Sequence, residues 1–149
     1  MLEGESTAEI NAPIDRVWNL VEDVERGPNW QGGMKSLTGI ERDAEHRVLL
    51  AAVEVDARVR ALQTRVRFAY DGPTRLSWEQ ERGQGQLKSI AGCWELVKLD
   101  DAHTRATYKV RVDLGRLGML VRGPIQAALR QELAGARAGE LKRAIETAG

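Results

Sequence analysis

The sequence predicts an α+β fold: a curved antiparallel sheet wrapped around a long C-terminal helix, with two short helices after the first strand. Three stretches of differing hydrophobic period carry this expectation. Apolar residues recur at helical spacing from Ile14 to Val24, alternate from Trp30 onward for about eighty residues, and return to helical spacing from Leu117 almost to the end. A chain of 149 residues that is 42% hydrophobic suits one core, so residues 1–149 are taken as a single domain.

Ser6, Ala8 and Ile10 suggest the first strand. A proline turn follows it: Pro13 fits the first helical position, where no backbone N–H is needed, and Asp15 sits near the positive helix end. Ile14, Val17, Trp18, Val21 and Val24 then draw one buried face, and Gly27-Pro28 breaks the helix before Trp30. Strands are expected near 37–42 and 47–56. Along 59–70, Leu62, Thr64, Val66, Phe68 and Tyr70 share a dry face, while Ala61, Gln63, Arg65 and Arg67 share a wet one. Asp71-Gly72-Pro73 turns the chain into 75–82, with Leu76, Trp78 and Gln80 inward. A second hairpin joins 87–99 to 104–113 across the polar turn 100–103 and sets Ile90, Trp94 and Leu96 with Ala106, Tyr108, Val110 and Val112 on the core side. The last helix, with Pro124 early in it, aligns Val121, Ile125, Ala128, Leu129, Glu132, Ala136 and Leu141 along one side. Its middle holds Gly135 and Gly139, each costing about 1 kcal/mol relative to alanine in a helix interior. Three readings of this thin segment stand: close approach of helix and sheet, unfilled volume beside the sheet's tryptophans, or an exposed, frayed stretch.

Lys plus Arg and Asp plus Glu both number 22, so no net field steers the chain toward nucleic acid or an anionic membrane. Arg58, Arg60, Arg65 and Arg67 are offset by Glu54, Asp56, Glu79 and Glu81 on neighbouring strands. Gly83-Gln84-Gly85 reads as a hairpin tip without the helix N-terminus that a phosphate cradle requires. Nucleic-acid binding is therefore not expected. The longest apolar run, 48–53, falls far short of the ~20 residues that span a bilayer, so no integral membrane segment is expected. The first residues, Met-Leu-Glu-Gly-Glu-Ser, are acidic where a secretory signal is basic, and cytoplasmic residence is the expectation. Cys93 is the single cysteine, which excludes an internal disulfide; with His46 and His103 it makes a poor metal-ligand set, and neither metal nor other cofactor is expected. The two histidines lie in polar loops and receive no role, and Cys93, alternating away from Trp94, reads as an unreactive thiol.

The opening segment 9–30, Ala91-Gly92-Cys93-Trp94, the strand 104–113 with Leu114-Gly115 after it, and the terminal helix together resemble the START-like (SRPBCC) superfamily, and within it the polyketide cyclase/dehydrase group. The resemblance spans essentially the whole chain. It implies the helix-grip form of the α+β fold, with a ligand cavity between sheet and last helix. These are motifs of a fold, and an activity does not follow from them. Aromatase/cyclases of the superfamily are thought to orient and protonate a polyketide with arginine, tyrosine and tryptophan side chains. Tyr70 and Tyr108 match in type, whereas no inward arginine aligns with the family's, because Arg65 and Arg67 alternate outward.

Four tryptophans beside one phenylalanine and two tyrosines is an unusual distribution, and rings of this size suit planar or lipidic ligands. Trp18 is assigned to core packing. The ligand-binding set read from the sequence is Trp30, Thr64, Tyr70, Trp78, Gln80, Trp94, Tyr108, Ile125 and Leu129, with Trp30 at the pocket mouth and Gln80 orienting a carbonyl or carboxylate. Glu132 is read at the rim, and Arg82 and Lys88 as reaching water from strand ends. The leading functional expectation is binding, with transport or sequestration, of a hydrophobic small molecule such as a lipid, quinone or polyketide, in a cavity of at least ~300 Å³. The alternative is a polyketide cyclase, aromatase or dehydratase with Tyr70 as catalytic candidate. A protein-interaction module, the third class, predicts a filled interior and an exposed apolar patch.

Overall fold

The computed structural model describes residues 2–56, 61–85, 88–115, 127 and 130–147. Strand β1 (Leu2–Ile10) leads into helix α1 (Ile14–Glu22), a 3-10 turn (Val24–Arg26) and the short helix α2 (Gly27–Trp30). Strands β2 (Met34–Arg42), β3 (Val48–Asp56), β4 (Ala61–Asp71), β5 (Arg75–Gly85), β6 (Ser89–Asp100) and β7 (His103–Asp113) follow, then a π-helical turn (Gln131–Gly135) and helix α3 (Arg137–Thr147). Among the described residues the strands form one antiparallel sheet in the order β1-β7-β6-β5-β4-β3-β2. Every consecutive pair from β2 to β7 is adjacent, and β1 closes on β7. Helix α3 lies on the inner face against β1, where the Ala138 amide donates to Ser6 Oγ (3.0 Å) and Lys142 Nζ to the Glu9 carbonyl (2.7 Å).

The alternation read from the sequence sets the register. Trp94 pairs with Tyr108, Leu96 with Ala106 and Ile90 with Val112, all toward the helix side. Arg65 and Arg67 face solvent, and Arg67 is paired with Glu81 at 2.8 Å. Ile10, Val17, Val112 and Leu141 are fully buried where the sheet, α1 and α3 meet, and each such side chain contributes about 1.5–3 kcal/mol relative to exposure. Trp18 packs as core: its indole covers Gly72, where an added Cβ would lie 2.7 Å from the ring, and its Nε1 donates to Glu22 (3.0 Å). Thr104, also fully buried, satisfies its hydroxyl by donating to the Ala12 carbonyl at 2.9 Å.

The structure corrects several sequence expectations. Pro13 caps α1 from outside the helix, with ψ at 153°, rather than occupying its first helical position. Gly83 to Gly85 continue β5, Gly85 standing opposite Thr64, instead of forming a hairpin tip. Among its described residues the last helix departs from the expected stripe: Ala136 is exposed, and the buried positions are Ala134, Arg137, Ala138, Leu141 and Ile145. The π-helical turn accounts for this, because closing i to i+5 takes an extra residue into the turn and so moves the inward face on by one residue. Ala134 packs so closely on β1 that a Cβ at Gly4 would come within 2.8 Å of its own, so here the thin helix serves close approach rather than empty volume. Val121, Pro124, Ile125, Ala128 and Leu129 lie outside the described residues, as does the side chain of Glu132.

Candidate functional site

Between the inner face of the sheet and helices α1, α2 and α3 lies a cavity of about 90 Å³. Its wall is mostly apolar, built from the inward residues Met34, Val53, Val66, Phe68 and Leu76 of β2 to β5 and from Val21 and Val24 on the helical side. A run of rings crosses it. Trp30 stands 6.0 Å from Trp94, Trp94 meets Tyr108 edge-on at 4.8 Å, and Tyr108 lies 5.3 Å from Trp78. These four residues come from α2, β6, β7 and β5, and all line the cavity. The register above places Trp94 against Tyr108, and Gly92 leaves room for the Trp78 ring to lie over β6.

The volume is smaller than the ~300 Å³ expected of a pocket ready for a ligand of ten or more heavy atoms. Four rings and an inward arginine border this space. Arg137, only 4% exposed, reaches the cavity from the first turn of α3. Its Nη1 donates to Glu140 Oε1 at 2.6 Å, and Glu140 Oε2 accepts from the Gly32 amide at 2.6 Å. One carboxylate thus ties α3 to the turn that follows α2, a turn whose Gly33 adopts φ of +81°, a region open to glycine. Among the described residues, Arg137 Nε and Trp30 Nε1 are buried donors without a partner. An unmade hydrogen bond in the interior costs about 1–3 kcal/mol, so two of them beside one cavity call for an explanation. Burial pushes the Tyr108 hydroxyl up to about 12, with the Arg137 guanidinium pulling the other way. The phenol is therefore a neutral donor at physiological pH.

Trp30, Thr64, Trp78, Trp94 and Tyr108, expected from the sequence, are brought together on the cavity wall. Tyr70 and Gln80 are not on it. Tyr70 sits nearer the end of β4, its hydroxyl donates to the Val48 carbonyl at 2.6 Å, and Arg47 stacks on its ring at 4.8 Å. Burial raises its pKa well above the ordinary phenol value, with Arg47 opposing. The catalytic candidate is thus withdrawn from the cavity by a backbone acceptor. Gln80 accepts from Thr64 Oγ1 at 2.6 Å, a pairing that satisfies both ends near the sheet's rim. Ile125 and Leu129 lie outside the described residues. Arg137 was missed by sequence reading because a regular helical phase turns Ala136 inward in its stead. The signal for it was the glycine-flanked, irregular stretch 134–139.

His103 pairs with Asp100 at the exposed turn, and Cys93 is a buried thiol on the outer face whose pKa burial raises. Among the described residues no cluster of three or more His, Cys, Asp or Glu is placed to hold a metal, and no helix is long and apolar enough to cross a membrane. A broader, open concavity of about 880 Å³ lies on the other side of the sheet, lined largely by charged side chains such as Arg75, Glu79, Glu95, Lys109 and Arg111. Such a lining is that of a solvated face.

A sheet gripping a terminal helix with an apolar cavity between them defines a START-like, helix-grip domain. The chain belongs to the polyketide cyclase / dehydrase and lipid transport family, whose model matches residues 1–146. Among solved structures it is similar to a START superfamily protein from Mycobacterium smegmatis, with 18% identity over 99% of each chain and a TM-score of 0.83. A protein from Thermus thermophilus matches with 18% identity over 99% of each chain and a TM-score of 0.81. The Zhui aromatase/cyclase from a Streptomyces species matches with 17% identity over 97% of this chain and 93% of its own, at a TM-score of 0.75. Identities this low establish the fold alone. No curated protein sequence matches the chain.

Proposed function

We propose that this protein binds a hydrophobic small molecule, such as a lipid, quinone or polyketide, between sheet and terminal helix, and carries or sequesters it in the cytoplasm. The observation that supports this most is the continuous ring surface Trp30–Trp94–Tyr108–Trp78 on a cavity rather than in solid core. Residues 1–149 act as a single domain in this reading. At about 90 Å³ the cavity is closed in this reading. A ligand enters by displacing α2 and Trp30, which are held across the mouth through the Gly32–Glu140 hydrogen bond. The interaction-module reading is weaker: Ile40, Val97 and Leu99, the large apolar side chains exposed among the described residues, lie on β2 and β6, with three strands between them.

An enzymatic cyclase or dehydratase is the second reading, favoured by one observation. Tyr108, not Tyr70, is a protonated phenol on the cavity beside an arginine. Native mass spectrometry of protein purified without denaturation tests binding directly, followed by titration with a long-chain fatty acid, a naphthoquinone and an aromatic polyketide. A one-to-one complex that quenches tryptophan emission is the expected result. If no compound binds and none co-purifies, the binding reading fails. Turnover of a polyketide substrate that Tyr108→Phe abolishes would replace it with the second.

A further inference from the structure

We infer that the cavity selects an uncharged, carbonyl-bearing ligand, whose oxygen accepts hydrogen bonds from Trp30 Nε1 and Arg137 Nε. The inference rests on the binding function proposed above and names the chemistry of its ligand. Both donor atoms are sealed from solvent, both belong to residues on the cavity wall, and among the described residues neither atom has a hydrogen-bond partner. A purely hydrocarbon ligand would leave them unpaired and enclosed. A ligand oxygen supplies the missing acceptor.

Charge decides which oxygen. A lone buried guanidinium favours a carboxylate, but Arg137 is already neutralised by Glu140 at 2.6 Å, with 5% and 17% of the two side chains exposed. Asp23 adds a second carboxylate to the wall, at its exposed edge. Asp23 is itself paired with Arg26 at 3.8 Å, so the charges at the cavity are already balanced. A ligand carboxylate would bring in a further negative charge without a free counter-ion, and burying one uncompensated is heavily disfavoured. A ketone, quinone, ester or amide oxygen accepts the same hydrogen bonds and carries no net charge. The Tyr108 hydroxyl, whose oxygen accepts from the Arg137 guanidinium, stays neutral and keeps its own proton to donate.

Three nearly isosteric probes test this by isothermal titration at neutral pH: acetophenone, ethylbenzene and benzoate. Acetophenone is expected to bind about ten-fold more tightly than ethylbenzene, since a site with buried donors rejects an analogue lacking the acceptor, and more tightly still than benzoate. Trp30→Phe keeps a ring and removes the N–H. It should cut acetophenone affinity about ten-fold more than ethylbenzene affinity, and an unchanged urea midpoint shows that the variant is folded. Arg137→Lys keeps the charge opposite Glu140, removes Nε, and should narrow the same preference. Equal binding of acetophenone and ethylbenzene overturns the inference but leaves the hydrophobic-binding function standing. Tighter binding of benzoate overturns it in favour of an anion site. Failure of all three probes to bind overturns the inference, while the binding function falls only if the fatty acid, naphthoquinone and polyketide fail as well.

Discussion

Replacing Glu140 by glutamine removes one charge from a buried pair and leaves its shape intact. The structure sets the scale: Arg137 Nη1 and Glu140 Oε1 are 2.6 Å apart, with side chains 5% and 17% exposed. Stripping one partner from a fully buried pair costs about 3–5 kcal/mol, because the other charge stays behind without compensation. Glu140 retains some water contact, and the amide oxygen can still accept from Arg137 or Gly32, so Glu140→Gln should cost about 2–3 kcal/mol. For a domain of this size that lowers Tm by roughly 4–12 °C. Urea unfolding at neutral pH, checked by calorimetry, measures it. The double variant Arg137→Met with Glu140→Gln should recover at least about 1 kcal/mol relative to the single one, since the stranded charge is gone. The same change loosens the clasp on the turn after α2, and hydrogen exchange at the Gly32 amide should speed up, because that amide donates to Glu140 Oε2. A single variant within about 0.5 kcal/mol of wild type, with strictly additive behaviour in the double, would refute the picture of Arg137 as a buried charge compensated by Glu140.

Gly92→Ala should destabilise by about 2–3 kcal/mol in urea titration: its Cβ would strike Trp78 and lie 2.5 Å from the Lys109 carbonyl, and backbone cannot swing away. Tyr70→Phe should cost about 1 kcal/mol through the lost Val48 bond while leaving ligand affinity unchanged; a clear affinity loss would restore Tyr70 to the site. Native Cys93 should alkylate with iodoacetamide at least about ten-fold more slowly than the urea-unfolded chain at mildly alkaline pH, because burial raises its pKa and limits access. Hydrogen bonds from Arg42 and Lys109 hold Glu25 and Glu95 below the usual carboxylate range. Their contribution to stability is therefore complete above the unfolded-state pKa near ~4.3 and is lost as pH falls through the lowered folded values. Arg42→Gln should make the acid limb of the urea midpoint, followed between about pH 5 and pH 2, measurably shallower.

Much of this architecture is legible because strand alternation and tight turns are local codes. Trp94 and Tyr108 could be set on one face from parity alone, and the observed pairing follows from the turn at 100–103. Trp18 was readable as core because a nine-residue helix with Val17 and Val21 beside it has one apolar side. Volume is not a local property. Whether four inward rings enclose space or fill it depends on how near α3 approaches β1, and Ala134 against Gly4 decides that over more than a hundred intervening residues. Tyr70 illustrates the same limit: parity turns it inward, but the Val48 carbonyl that captures its hydroxyl belongs to the neighbouring strand.

Arg137 is the sharper case, because there the local code itself misleads. A period of 3.6 carried from the early part of the last helix turns Ala136 toward the sheet; one π-helical turn advances the phase and brings in a cation instead. Without its Nε the cavity would keep an indole and a phenol as donors and no cation, compatible with many greasy ligands. With it, and with Glu140 cancelling its charge, the slot distinguishes an uncharged oxygen from a carboxylate. The same Glu140 holds the Gly32 turn across the mouth. A ligand that engages Arg137 therefore meets the residue whose partner keeps the cavity shut, so polar recognition and opening of the mouth converge on two side chains one helical turn apart.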